Sequence, residues 1–202
     1  SQYKPSPQVE LAGLFNIDFS MPFKKKVENY DNLLTPKLSF RFNPSDMKDY
    51  SLSDNKINIS NAFALNRLGL SDTLETGKSI TLGLDYKNEK KNDLDQINNY
   101  FELKLAKVFR DVEEKFIPNK STINKKNSNL FGSITNKFSN NLDLGYNFSL
   151  DNDYSTFEYN DLNATLSINN FVTKFNFIEE HGKTGDTNVM ANSFEYNIDK
   201  KN

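Results

Sequence analysis

Leu142-Asp143-Leu144-Gly145-Tyr146-Asn147-Phe148-Ser149-Leu150 alternates without a break: every even position is apolar and every odd one small or polar. A period of two belongs to a strand, which sends successive side chains to opposite faces. The same rhythm recurs outward from this segment. Phe15, Ile17, Phe19, Met21 and Phe23 alternate with Asn16, Asp18, Ser20 and Pro22. Leu34, Pro36, Leu38, Phe40 and Phe42 alternate with Thr35, Lys37, Ser39 and Arg41. Ile80 to Tyr86, Phe101 to Leu105, Leu130 to Phe138, Leu162 to Ile168, Phe171 to Phe177 and Phe194 to Ile198 repeat it. Segments of about ten residues suit tilted strands crossing a bilayer, and roughly nine of them are counted on that template.

The connections carry a second periodicity. Ser139-Asn140-Asn141 and Asn169-Asn170 are tight turns, while 151–156 and 180–188 are longer. Short and long links alternate in outer-membrane barrels, as periplasmic turns and outer loops. Counting backwards assigns 111–127 and 43–78 to outer loops, and 88–97 and 24–33 to inner turns of more than the usual length. The alternating residues Ile57, Ile59, Phe63 and Leu65 must then lie inside the long outer loop. Helix is poorly supported; Lys104 to Lys115 reads at most as one short amphipathic helix.

Composition agrees with a wall that meets lipid on one side and water on the other. Mean hydropathy is −0.70, yet aromatics reach 13%, with 17 Phe and 9 Tyr. Half-buried strands of a soluble sandwich alternate too. The aromatic content of the apolar face favours the membrane, as do the charges opposite it, which include Asp18, Lys37, Arg41, Asp85, Glu102, Lys104, Asp143 and Lys174. The fold class expected is therefore all-β: an antiparallel transmembrane β-barrel segment of about nine strands, incomplete, with long outer loops. Residues 1–202 read as part of one barrel domain. Ser1 at the start and Asp199-Lys200-Lys201-Asn202 at the end suggest an internal fragment. Neither a signal peptide nor an apolar run long enough for a membrane helix is visible.

Chemistry is hard to place on these residues. A net charge of −2 gives no footing to a nucleic-acid partner. With no cysteine, disulfides, thiolate nucleophiles and cysteine metal sites are excluded. Gly77-Lys78-Ser79 lacks the glycine of a phosphate-binding loop at Asp72 and precedes a strand. Asp151-Asn152-Asp153-Tyr154-Ser155 starts like a calcium loop but has Thr156 and Leu162 where Gly and Glu are needed. His181, the single histidine, stands by Glu179 and Glu180 in a loop with no triad spacing. Glu113-Glu114 and Lys24-Lys25-Lys26 read as solvated. No catalytic residue, cofactor site or metal site is assigned, and the chain is not expected to be an enzyme.

One segment is neither strand nor ordinary loop: Asn66-Arg67-Leu68-Gly69-Leu70-Ser71-Asp72-Thr73-Leu74-Glu75-Thr76-Gly77. Arg67, Asp72 and Glu75 are close enough for local ion pairs, and Gly69 and Gly77 allow sharp bends. Its sharper reading is an ordered loop, with Asn66, Arg67, Asp72, Glu75 and Gly77 as its motif, folded into or over a barrel mouth.

The run Asn61 to Asp72, then Glu75 and Gly77, then the strand Ile80 to Tyr86, resembles the barrel domain of the LptD family of LPS-assembly proteins. Leu38-Ser39-Phe40-Arg41-Phe42, between Pro36 and Pro44, is similar to the family's preceding strand. Phe101 to Asp111 is similar to its strand ending in a Phe-Arg-Asp-like motif. The strongest blocks lie between 36 and 111; 128–198 match in rhythm more than in letters. The chain departs from the family in having Thr76 where a second glycine is frequent, and in lacking cysteine.

The resemblance implies a large outer-membrane barrel with an N-terminal periplasmic domain and a plug lipoprotein of the LptE type. It implies lipopolysaccharide arriving along periplasmic bridge proteins and leaving sideways into outer-membrane lipid. Asn16, Ser39, Arg41, Thr81, Asp85, Lys104, Asn163 and Lys174 are the candidate lumen-facing residues. A small passive outer-membrane channel and a secreted glycan-binding sandwich stay open as alternatives, with a hydrolase a distant third.

Overall fold

The computed structural model describes residues 12–92 and 97–198. Ten strands build one antiparallel sheet: β1 (Phe15–Ser20), β2 (Phe23–Val27), β3 (Tyr30–Asn43), β4 (Gly77–Lys91), β5 (Ile97–Arg110), β6 (Asn127–Lys137), β7 (Leu142–Leu150), β8 (Phe157–Ile168), β9 (Phe171–Glu180) and β10 (Thr187–Tyr196). Spatial order follows chain order throughout. β1 and β2 lie end to end along the same edge of β3, with Met21 and Pro22 between them, so the sheet has nine strand positions. Proline has no N–H for the ladder, and the edge ladder breaks where Met21-Pro22 comes opposite Thr35-Pro36 of β3. β1/β2 and β10 are the two edges, and the sheet is open.

Strands come as hairpins with two kinds of link. At one end the connections are short: Glu28-Asn29, 138–141 and Asn169-Asn170, with the β4–β5 link at 92–96 partly outside the described residues. At the other end they run 44–76, 111–126, 151–156 and 181–186. The long links stand where the sequence rhythm puts them. The two overlong inner turns are corrected. β2 and β3 extend through 24–27 and 30–33, and β4 extends through 88–91, so polar lysine- and asparagine-rich stretches that read as turns are ladder. Lys24-Lys25-Lys26 is thereby strand, with Lys24 paired to Asp31 at 3.1 Å. β10 likewise starts at Thr187, earlier than its aromatic residues suggest, and Ile198 lies beyond it. Lys104 to Arg110 is strand and not helix. The one helical turn among the described residues is a 3-10 turn at Asn119–Ser121.

The polarity of the sheet is inverted relative to a soluble protein. Phe15, Ile17, Phe19, Leu38, Phe40, Ile80 and Leu82 share one face and are exposed, Phe19 by 60% and Leu82 by 49%. Their polar neighbours Ser39, Arg41, Asn43, Ser79 and Thr81 point the other way and are buried. A sandwich would bury the first set and wet the second. So many large bare apolar side chains on one face mark a surface that is covered by a membrane or a partner. Outward aliphatic and aromatic residues opposite a polar interior are what a strand needs when its outer solvent is lipid.

The apolar core sits on the polar side of the sheet and is supplied mainly by loops. Met47, Ile57, Ala62, Leu68 and Leu70 from 44–76 and Ile117 and Ile123 from 111–126 pack against Ala106, Val108 and Phe131 of β5 and β6. The two loops are bonded to each other: the Tyr50 N–H donates to the Phe116 carbonyl at 2.9 Å, and the Asn119 N–H to Ser51 at 3.1 Å. They form a single plug seated against one part of the inner face. The alternating run 57–65 lies within it as turns and not as strand.

Candidate functional site

Pairing fixes which residues meet beneath the plug. Asn16, Arg41, Ser79 and Arg110 occupy one cross-strand row at the long-loop end, and Asp18, Ser39, Thr81 and Val108 occupy the next. The plug then lowers Glu75 onto the first row. Its carboxylate takes a bidentate pair from Arg67, Nε to Oε2 at 2.7 Å and Nη2 to Oε1 at 2.6 Å. Arg110 Nη1 donates to Oε1 at 2.5 Å, and Arg41 Nε stands 3.6 Å from Oε2. Arg67 continues to Thr81 Oγ1 and Ser79 Oγ, each at 2.9 Å. Arg41 donates to the Ala64 and Leu65 carbonyls, and Arg110 to the Thr76 carbonyl. Asn43 Nδ2 holds the Glu75 carbonyl at 3.0 Å.

All four charged groups are buried, Arg67 to 2% exposure. Burial pushes the Glu75 carboxyl up, but the charges of Arg67, Arg110 and Arg41 outweigh it and hold the group below its ordinary value. Three guanidinium groups converge on one carboxylate, with Asp18 adding a weaker attraction at Arg41 and Glu114 one at Arg110. The planar fork of arginine suits such bidentate, low-dielectric pairing. Gly77 closes the junction between plug and β4: its φ is +85°, and a Cβ there would stand 2.7 Å from Arg110 Nη2.

A second contact lies one row further along the wall. The Phe63 ring rests on Gly83, where a Cβ would meet Cζ at 2.6 Å, and Lys37 Nζ lies 5.5 Å from the ring centroid. At the far side of the plug, Lys56 pairs with Glu180 of β9 at 2.5 Å. Between these two supports a cavity of about 330 Å³ separates 56–60 of the plug from Asn147, Tyr159, Asp161 and Thr184.

The eight residues expected to face a lumen all lie on the plugged face. Asn16, Ser39, Arg41 and Thr81 come together at the arginine cluster, where Ser39 Oγ donates to Asn16 Oδ1 at 3.2 Å. Asp85 and Lys104 are direct cross-strand partners, yet each bonds elsewhere: Asp85 to Lys37 at 2.6 Å and Lys104 to Glu102 at 2.9 Å. Asn163 and Lys174 stand apart on β8 and β9, bordering a shallow recess outside the plug. Of the loop motif, Arg67, Glu75 and Gly77 join the cluster. Asn66 folds the loop on itself by exchanging bonds with the Leu70 N–H and carbonyl. Asp72 does not pair with Arg67. It sits at the exposed rim, bonded to the Tyr50 hydroxyl and to Lys48 at 2.9 Å. Those two bonds hold its carboxyl below the ordinary value, and the bond to the Asp72 carboxylate pushes the Tyr50 phenol up. The sequence reading missed Arg110, Ser79 and Asn43 as partners. Their one available signal was position: polar residues on the inner face at the strand ends that flank the loop.

The LptD family, described as LPS transport system D, matches residues 5–195. The chain belongs to that family. LptD proteins are outer-membrane proteins, and membership assigns the chain at family level to lipopolysaccharide transport and outer-membrane biogenesis. A comparison with curated proteins found no match. Among the described residues no helix is long and apolar enough to cross a membrane. In LptD terms, this open antiparallel sheet is barrel-like, with the exposed apolar residues on one face and the arginine cluster on the other.

Proposed function

We propose that the chain is a wall segment of an outer-membrane translocon that inserts lipopolysaccharide into the outer leaflet, and that it does so without bond chemistry. The observation that carries this reading is the inverted sheet: a bare apolar face outside, and a polar face inside that its own loops cover. Moving an amphipathic glycolipid requires an apolar exterior for the acyl chains and a wet interior for the sugars. The long loops belong to the outer surface, and the short turns to the periplasm. Both sheet edges are open, and unpaired strand edges are not tolerated in hydrocarbon. Residues 1–202 are therefore part of one barrel domain completed by further strands, and the full protein carries an N-terminal periplasmic domain that meets the lipopolysaccharide bridge. The inner face beyond the plug, around Asn163 and Lys174, is open enough to meet a plug lipoprotein of the LptE type or the passing saccharide.

Site-specific photo-crosslinking in cells tests this. A crosslinker at Asn163 or Lys174 is expected to give adducts with lipopolysaccharide or with the plug lipoprotein. One at the neighbouring outward position Phe175 is expected to capture membrane lipid and no plug protein. Adducts of the inner positions with neither partner would end the translocon reading.

A further inference from the structure

Lys107 is out of place. By register it lies on the apolar outer face, between Leu82 of β4 and Leu130 of β6, with Leu105 and Phe109 above and below it on β5. Yet it is only 8% exposed. A lysine at a bilayer wall ordinarily extends its ammonium toward water. This one is held against the wall by Tyr154, with Nζ 4.2 Å from the ring centroid and 2.8 Å from the hydroxyl. Tyr154 reaches it from the 151–156 loop, across β6, with an unfavourable φ of +61°. Asp151 fixes that loop by accepting the Ser155 N–H at 2.7 Å and the Ser155 hydroxyl at 2.8 Å. Lys107 has no carboxylate partner among the described residues. A recess of about 270 Å³ opens beside it on the same face, lined by Leu82, Leu84, Leu105, Phe109 and Leu130 and bounded by Tyr154.

We propose that Lys107 and Tyr154 form an external site for one phosphorylated lipid of the leaflet at the long-loop end, with the phosphate on the ammonium and an acyl chain along the recess. Lys107 is three residues from the end of β5, roughly 10 Å along the strand at the usual rise and less in depth for a tilted one. That is the level at which head groups meet chains. A cation without an internal anion, facing lipid, is complemented by an anion the lipid brings, and an ammonium bound to one hydroxyl keeps two donors for phosphate oxygens. A free ion would satisfy the charge but leave the apolar recess empty. The site goes beyond the transport reading and lies on the opposite face from Asn163 and Lys174.

The test uses the full-length protein in detergent, with diphosphoryl lipid A and its dephosphorylated form, which share the same chains. Retained lipid is counted by native mass spectrometry. The phosphorylated form is expected to bind about tenfold more tightly, the worth of one charge-assisted contact. Lys107→Met is expected to remove that preference and Lys107→Arg to keep it. Leu82→Trp, which fills the recess and leaves the charge in place, is expected to weaken both lipids. Equal binding of the two forms by the wild type, or an undiminished preference in Lys107→Met, would overturn the proposal. So would complete displacement by millimolar inorganic phosphate, which would mark an ion site. Loss at Lys107 is expected to leave the Asn163 and Lys174 adducts intact, so the two readings fail separately.

Discussion

The inner faces of β3–β5 and of β8–β10 are written in the same alternating pattern but have different fates. Under the plug, Ser39, Arg41, Ser79, Thr81 and Arg110 are buried, and all but Ser39, which bonds to Asn16 of β1, are hydrogen-bonded to loop residues. On β10 every residue is exposed on both faces, and on β8 and β9 Asn163 and Lys174 border an open recess. One half of the wall is thus closed by its own chain and the other is not. The difference shows that strand rhythm settles which way a residue points, while a loop settles whether that residue is buried.

The largest effect that can break this comparison is expected at Glu75. Glu75→Gln removes the one carboxylate that the buried Arg41, Arg67 and Arg110 share, a loss of about 3–5 kcal/mol by analogy with other broken buried pairs. It should appear as protease cleavage within 44–76 and a lowered unfolding midpoint in detergent. The same group gives the plug a pH dependence. Its folded pKa is depressed, so its contribution is complete above the ordinary value of 4.5 and is lost as pH falls through the lower folded value. Wild-type plug protection should therefore decline below that pH, and Glu75→Gln should show no such step.

Next in size is the contrast between faces in the uncovered half. Phe175→Lys puts a charge on the lipid side and is expected to cost about 2–4 kcal/mol if it lies near mid-bilayer. Asn176→Lys, one residue along on the inner side, loses a hydrogen bond to Asp161 and should cost only about 0.5–1.5 kcal/mol. Urea unfolding from liposomes compares them, and equal costs would mean that the two faces of β9 do not differ in solvent. Gly83→Leu, which pushes Phe63 off the wall, is expected to cost about 1–3 kcal/mol through overpacking, with loop cleavage as its readout. The smallest effect belongs to the link between the halves. Lys56→Met breaks the partly exposed pair with Glu180 for about 0–1 kcal/mol, and should leave the Glu75 cluster intact when loop protection is mapped.

Much of this was legible before any coordinates. Leu142 to Leu150 reads as a strand with its leucines and aromatics on one side, and its ladders place them there. Arg67 and Glu75, eight residues apart in one segment, were readable as a local pair. Arg41 and Arg110 as their partners were not, because nothing local links Glu75 to residues about 35 positions away on two different strands. Asp72 shows the converse: proximity in sequence suggested Arg67, and the fold gave it Tyr50 and Lys48. Lys26 and Lys90 read as turn residues because charge imitates a loop signal, whereas a wet inner face and a rim accept lysine in a ladder.

By itself the sequence determined the alternating cores of the strands, their two faces, the ends at which long and short links lie and the presence of an unusual loop. Each of these follows from local periodicity, which a chain of alternating solvents must obey. Only tertiary structure decided that 44–76 and 111–126 share one core, that one carboxylate serves three arginines, and that a lysine on the apolar face lies beneath a tyrosine. Those depend on which residues the hairpin register brings side by side, and register is a property of paired strands that no single segment encodes.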